Sequence, residues 1–305
     1  MSKRDFLSIA DLTTDELGAL IESAATARKD PGKFEDSLAG KQIALVFEKP
    51  STRTRVSFEA AISQMGGHAI VLRGDELQLG RGETIEDTGR VLSRYVDAIV
   101  LRTFGQERLE QLAAAASVPV INALSDFSHP CQCLADLQTI AQHKGDLGGL
   151  ALAYLGDGNN MAHSLLFAGS KMGMDVRAAT PSEYAPDEGV VQRAQETAAN
   201  SGGRVTVTEV VAEAVVGADV LYTDVWASMG QEEEAATRRQ AFERYQLNSA
   251  VLSLAKDDAI VMHCLPAHRD EEITSEVLDG PQSVVWDQAE NRLHSQKALL
   301  AWLLV

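Results

Sequence analysis

The sequence predicts an α/β chain built as two doubly wound parallel-sheet domains with a cleft between them. Three observations predict it. Short apolar runs recur along the chain and read as strands buried on both faces. Segments with helical spacing of apolar residues lie between them, as right-handed strand–helix–strand crossovers require. The loop Lys144–Gly149 then breaks the pattern, and a second alternation starts beyond it.

Thr13 and Glu16 form a capping-box pattern that opens a helix reaching about Arg28. Strands follow at Ile43–Phe47, Ala69–Leu72, Ala98–Leu101 and Val118–Ile121. Phe58, Ala61, Ile62 and Met65 share one helical face between the first two. Ile85, Thr88, Leu92 and Tyr95 form another such pattern, and Leu109–Ala116 is an alanine-rich third. The helical stretch Cys131–His143 leads to the break. Beyond it, strands are expected near Ala151–Leu155, Val176–Ala179, Val205–Thr208, Val220–Tyr222, Ile260–Met262 and Val284–Trp286. The acidic run Gln231–Ala235 reads as a solvated helix start, and a last helix covers about Gln288–Leu304. The expected domains are 1–143 and 144–287, with 288–305 as the terminal helix.

A chain of 305 residues has room for two domains, each with its own core. With 45% hydrophobic and 23% charged residues it has the balance of a globular protein. Its 27 basic and 44 acidic residues give a formal charge of −17, so the basic footprint of a nucleic-acid binder is missing. Any anion site must gather its few arginines locally. Cys131, Cys133 and Cys264 are an odd, sparse set that suits a reducing cytoplasm rather than a disulfide framework. Met1–Glu16 is charged and has no apolar leader core, and no apolar run is long enough to span a bilayer. The expected location is cytoplasmic, with no membrane partner.

Strand Ile43–Phe47 ends at Glu48-Lys49-Pro50, and a helix begins just after it. Ser51-Thr52-Arg53-Thr54-Arg55 therefore sits at a strand end and a helix N-terminus. Helix-start N–H groups lack intrahelical partners and the macrodipole is positive there, which favours an anion. The hydroxyls add donors, and Arg53 and Arg55 offer forks to phosphate oxygens. The alternative is that Ser51 or Thr52 only caps the helix while the arginines form surface ion pairs. The Gly-x4-Gly-Lys spacing of a Walker loop is absent.

In open parallel sheets, ligands sit outside the carboxyl ends of strands. Strand Ala98–Leu101 ends at Arg102, and Val118–Ile121 leads to His129-Pro130-Cys131-Gln132. The Gly74–Gly82 loop closes the second strand. Polar or cationic groups thus reach one rim from all four strand ends. His129-x-Cys131-x-Cys133 is poorly spaced for tetrahedral zinc and has no completing pair, so no metal is expected. In the second half, Gly156-Asp-Gly158-Asn159-Asn160 is half of a dinucleotide fingerprint. Met161 stands where the third glycine belongs, and Ala179-Thr180-Pro181 replaces the ribose-binding acid, so a nicotinamide dehydrogenase fits poorly. Asp224 and Ser228 on one loop suit an ammonium group, Asn160 suits a carboxylate, and Cys264 follows the strand Ile260–Met262.

Ser51-Thr-Arg-Thr-Arg55, His129-Pro-Cys-Gln132 and His263-Cys-Leu-Pro266 together resemble the aspartate/ornithine carbamoyltransferase family, on its ornithine-specific branch. The likeness covers nearly the whole chain in order and spacing. It implies that Ser51, Thr52, Arg53 and Thr54 hold the phosphate of carbamoyl phosphate with Arg102. His129, Arg102 and Thr54 would lie near the carbonyl oxygen, Gln132 near the carbamoyl amide, and Gln78 would reach in from the glycine-rich loop. Pro130 and Cys131 would belong to the same donor site. Asn160, Asp224, Ser228 and Met229 would hold the α-amino and α-carboxylate groups of L-ornithine. Cys264 and the Leu265 carbonyl would lie beside the δ-amine and the carbamoyl group. Arg292 would return to the donor site, carrying the C-terminal helix back to the first domain. Arg53, Arg102, His129, Asp224 and Cys264 would carry the chemistry, without a cofactor. Homotrimers are usual in such a family.

The aspartate branch would place a lysine on the loop that here holds Gln78, and His-Pro-Leu-Pro where this chain has His263-Cys264-Leu265-Pro266. Putrescine or acetylated ornithine would each lack a group that Asn160 or Asp224 is expected to hold. A silent phosphate-binding homologue would not need Arg53, Arg102, His129 and Cys264 together.

Overall fold

The computed structural model describes residues 3–74, 77, 82–227 and 232–305. The chain divides into two units, Met1–Gln138 with Glu290–Val305, and Thr139–Ala289.

In the first unit α1 (Thr14–Lys29) starts at a reciprocal cap, where Thr13 accepts from the Glu16 amide and Glu16 accepts from the Thr13 amide. There follow β1 (Gln42–Phe47), α2 (Thr52–Gln64), β2 (His68–Arg73), α3 (Ile85–Leu92), β3 (Ala98–Arg102), α4 (Gln106–Ala115), β4 (Val120–Leu124) and α5 (Pro130–Lys144). The sheet is wholly parallel in the order β2-β1-β3-β4. Its order reverses between β1 and β3, where Phe47 lies opposite Arg102. The crossover from β1 to β2 runs one way along the sheet and the next, from β2 to β3, returns past β1 the other way, the switch point at which a crevice opens at the strand ends. Ile43, Ala44, Leu45, Ile99 and Leu101 are buried. Each large aliphatic side chain so placed contributes roughly 1.5–3 kcal/mol.

The second unit continues with β5 (Ala151–Leu155), α6 (Asn160–Lys171), β6 (Asp175–Ala179), α7 (Glu188–Ser201), β7 (Arg204–Thr208), α8 (Val211–Val215) and β8 (Val220–Thr223). Then come α9 (Ala235–Phe242), α10 (Ser249–Leu252), β9 (Ile260–His263), α11 (Ser275–Leu278) and α12 (Val285–Leu304), whose C-terminal part belongs to the first unit. This sheet is also parallel, in the order β7-β6-β5-β8-β9, and reverses between β5 and β8. The predicted fold class, two doubly wound parallel-sheet units, is therefore present. The acidic residues Glu233 and Glu234 are exposed just ahead of α9, as a solvated helix start should be.

Three elements differ from expectation. Val284–Trp286 is not a strand: α12 begins at Val285, and only Ser283 bridges to Val261 of β9. No breaker separates this run from the helical sequence after it, so the helix extends back through it. β4 begins at Val120, two residues later than predicted, and runs on through Asn122. The Asn122 amide donates to Leu7 O at 2.9 Å and Ser128 Oγ at 3.0 Å, so a polar residue sits in the strand at little cost. The helical face that opens at Ile85 stops at Leu92, and Tyr95 is 69% exposed rather than packed.

Candidate active site

Ser51 caps α2, accepting from the Thr54 amide at 3.3 Å. The cap reading is thus true, and it starts α2 just beyond the end of β1, next to the point where the sheet order reverses. Arg55 is exposed and paired with Glu59 at 3.2 Å, one helical turn on. Thr52 is exposed as well, whereas Arg53 is half-buried and Thr54 fully buried. The five-residue signal therefore splits, with one arginine on a surface ion pair and the other turned toward the site.

Arg102, the last residue of β3, is buried, and its carbonyl accepts from the Glu48 amide at 2.9 Å. Glu48 in turn binds Thr103 and Arg108, which fixes the strand end that carries Arg102. His129 accepts the first helical bond of α5 from the Cys133 amide at 3.1 Å, and Pro130 takes the first helical position, where its missing N–H costs nothing. Arg292, near the start of the part of α12 that belongs to this unit, donates to Thr54 Oγ1 at 2.6 Å. Burial pushes the His129 imidazole well below its ordinary pKa, and the guanidiniums of Arg292, Arg102 and Arg53 push it further in the same direction. His129 is therefore a neutral ring ringed by cations. Three guanidiniums beside two helix N-termini are groups that suit an anion, gathered locally on an acidic protein.

Gln132 is buried, with Nε2 donating to Asp136 at 2.8 Å, while its Oε1 has no hydrogen-bond partner among the described residues. Cys131 does not face the same way. Its Sγ donates to Asn122 O at 3.2 Å, and burial pushes the thiol up to about 12. Its side chain is core, so only its backbone at the start of α5 is suited to an anion.

In the second unit the residues flank the other reversal point. Asp224 follows β8, Asn160 opens α6 after β5, and Cys264 follows β9. Cys264 Sγ donates to Asp224 Oδ1 at 3.0 Å. Leu265 adopts a left-handed φ of 58°, a conformation that costs a branched residue roughly 1–2 kcal/mol. Leu265 N donates to His263 Nδ1 at 2.8 Å, so the ring proton sits on Nε2 and goes to Glu272 at 3.0 Å. Gln78, Ser228 and Met229 lie outside the described residues.

Sequence reasoning missed the supports of this second set. Asn159, read only as part of a glycine-rich turn, donates to Asp224 Oδ2 at 3.0 Å. Asp157 is buried against Arg238, which also donates to Trp226 O at 2.6 Å and so ties the chain after Asp224 to the turn after β5. The glycines of that turn serve packing: Gly156 has φ of 131°, and a Cβ on Gly158 would lie 2.2 Å from Pro186 N. A buried arginine is legible in hindsight from the aromatic side chains Tyr184 and Phe242 that cover it, but only the fold brings them together.

Among the described residues, two clusters have donor types that a cation accepts, Asp224–His263–Cys264 and His268–Glu271–Glu272. In the first, both ring nitrogens of His263 are already engaged, so it fits a metal poorly. In the second, Glu272 Oε1 already takes bonds from His263 and from the His268 amide.

Residues 4–142 match the carbamoyl-P binding domain of aspartate/ornithine carbamoyltransferases, and residues 148–303 match their Asp/Orn binding domain. The chain belongs to the aspartate/ornithine carbamoyltransferase family. It is similar to the ornithine carbamoyltransferase of Parafrankia sp. (strain EAN1pec), 59% identical over 307 residues that span 100% of this chain and 97% of that one. The ornithine carbamoyltransferase of Rhodococcus opacus (strain B4) is 58% identical, over 99% and 96% of the two chains. Among solved structures, the ornithine carbamoyltransferase from Pyrococcus furiosus superposes with a TM-score of 0.96 at 54% identity, covering 99% and 97%.

Proposed function

We propose that this chain transfers the carbamoyl group of carbamoyl phosphate to the δ-amine of L-ornithine, giving L-citrulline and phosphate. The observation that carries the donor half is the burial of Arg102 and Arg292 about His129 and Thr54, with Arg292 donating to Thr54 Oγ1 and Arg53 adding its charge at the same ring. Ser51, Thr52, Arg53 and Thr54 with Arg102 hold the phosphate, helped by the α2 N-terminus. Gln132 Oε1 accepts from the carbamoyl NH2, and Pro130, Cys131 and Leu265 contribute backbone to the site. Asn160, Asp224, Ser228 and Met229 take the α-carboxylate and α-amino groups, and Gln78 completes the donor side.

The chemistry follows from charge. The δ-amine attacks the carbamoyl carbon, a new C–N bond forms, and negative charge develops on the carbonyl oxygen. Arg102, His129 and Thr54 serve as the donors to that oxygen, and fixed donors stabilise charge without reorganising. His129 serves here by its N–H and not as a cation. The C–O bond to phosphate then breaks, and the arginines take up the charge of the leaving group. The amine must first be neutral, although an alkyl ammonium titrates near ~10.4. Asp224 and Cys264 orient it and help it lose its proton. No step in this scheme uses a cofactor.

The enzyme is further read as a cytoplasmic homotrimer, the assembly that the resemblance implies and the location that an odd, sparse set of cysteines suits. No helix of the described residues is long and apolar enough to cross a membrane. The test is citrulline formation from carbamoyl phosphate and ornithine, run beside aspartate, putrescine and acetylornithine. Product with one of those amines and none with ornithine overturns the acceptor assignment, and no product with any amine favours a silent phosphate binder. Sedimentation at micromolar concentration reads the assembly.

A further inference from the structure

Asp224 does not stand alone at the end of β8. Its Oδ1 accepts from Cys264 Sγ at 3.0 Å and its Oδ2 accepts from Asn159 Nδ2 at 3.0 Å. Asn159 is itself over-determined. It is the cap of α6, and its Oδ1 accepts from the Met161 amide at 2.9 Å and the Ala162 amide at 3.3 Å. The buried Tyr154 hydroxyl lies 3.3 Å from the same oxygen, with its shorter bond of 2.8 Å to the Asp157 carbonyl. A flipped amide would face Nδ2 toward two N–H donors and Oδ1 toward a carboxylate, so the network permits one orientation only. The helix start thus decides which end of the amide meets Asp224.

We propose that Asn159 is a positioning residue that holds the Asp224 carboxylate in place for the amine acceptor. The inference rests on the ornithine reading given above. With Cys264 on one oxygen and Asn159 on the other, the plane of the carboxylate is fixed and its remaining lone pairs are directed. Asn159 donates to one carboxylate oxygen and so decides which lone pairs are left for an ammonium or a departing amine proton. The residue does two separable jobs, and substitution divides them. Aspartate and serine both keep a cap oxygen for α6. Neither offers the amide donor to Asp224, and aspartate also adds a second negative charge beside it.

The experiment is steady-state citrulline formation by the full chain, with Asn159→Asp and Asn159→Ser compared with the wild type across about pH 6 to 9. Losing a hydrogen bond to a charged group lowers kcat/KM for ornithine by roughly tenfold or more in both variants. The KM for carbamoyl phosphate and the melting temperature stay at wild-type values. In Asn159→Asp the acid limb of kcat/KM for ornithine moves to higher pH, because two neighbouring carboxylates share their titration. In Asn159→Ser that limb stays in place. Wild-type ornithine kinetics in both variants overturns the proposal. So does a fall in melting temperature with an equal loss toward carbamoyl phosphate, which assigns Asn159 to the helix cap alone. If the wild type makes no citrulline but carbamoylates another amine, the substrate reading falls and the same comparison is made with that amine. If it carbamoylates none, both fall.

Discussion

Replacing Arg292 by methionine separates what the site does for substrate from what it does for the fold. Arg292 is buried, donates to Thr54 Oγ1 at 2.6 Å, and after burial itself is the largest cause of His129's depressed pKa. Methionine fills a similar volume without charge. Thr54 then loses a buried donor, worth about 1–3 kcal/mol. Against that, three guanidiniums gathered around one ring repel each other, and removing one relieves buried like charge. The two effects are of similar size, so the unliganded melting temperature should change little. Phosphate binding has no such offset. A lost hydrogen bond between charged groups costs about 1.5–3 kcal/mol, which is a factor of roughly 10–150 in affinity. A ligand at a hundred times its dissociation constant stabilises by about 2.7 kcal/mol. At the same concentration the variant would keep only about 0.3–1.3 kcal/mol. The assay is thermal melting with and without a non-hydrolysable phosphonate analogue of carbamoyl phosphate. A wild-type ligand-induced shift in Arg292→Met would refute the assignment of Arg292 to the donor site. A large fall in the unliganded melting temperature with the shift retained would show that its role is structural.

Two further outcomes follow from the electrostatics. The His129 ring signal, followed by NMR, should not titrate between about pH 6 and 9, because burial and three cations hold its pKa well below the ordinary 6.5. The unfolded chain takes up that proton near 6.5 while the folded chain cannot, so this group's contribution to stability is present above about 6.5 and is lost as pH falls toward the folded value. Burial pushes the Asp157 carboxyl up to about 6 against the pull of Arg238, so it stays ionised at neutral pH. Asp157→Asn should therefore destabilise by roughly 3 kcal/mol, since it leaves the buried Arg238 without its nearest counter-charge. Urea unfolding at pH 7.5 checks this, and Asp157→Asn combined with Arg238→Met should recover part of the loss.

The amino-acid pattern alone determined the parallel α/β class, because strands buried on both faces are apolar throughout and helices between them carry a one-sided pattern. It also located Ser51–Arg55 at a helix start, Arg102 at a strand end and His129 before the next helix, since each follows directly from where an element begins or stops. Family resemblance in those motifs reached the acceptor side as well. Three local misreadings share one cause: Val284–Trp286, the start of β4 and the packing of Tyr95 all depend on what the segment meets across space. A short apolar run is equally at home in a strand or the first turn of a helix, and Asn122 is tolerable in a strand only because Leu7 and Ser128 accept its amide.

Tertiary structure alone decided how the charges act. Arg53 and Arg55 are two residues apart and chemically alike, yet one bears on His129 and the other pairs with Glu59 on the surface. The helix surface turns about 100° per residue, so that separation is enough to send like side chains opposite ways. Cys131 is in the predicted motif but its thiol is core. Asn159, beside the expected Asn160, donates to Asp224. Sequence spacing gives the residue types and their order along the chain. Which of two neighbours faces the chemistry is set by helix phase and by sheet order, and the reversal points between β1 and β3 and between β5 and β8 exist only once the strands have paired.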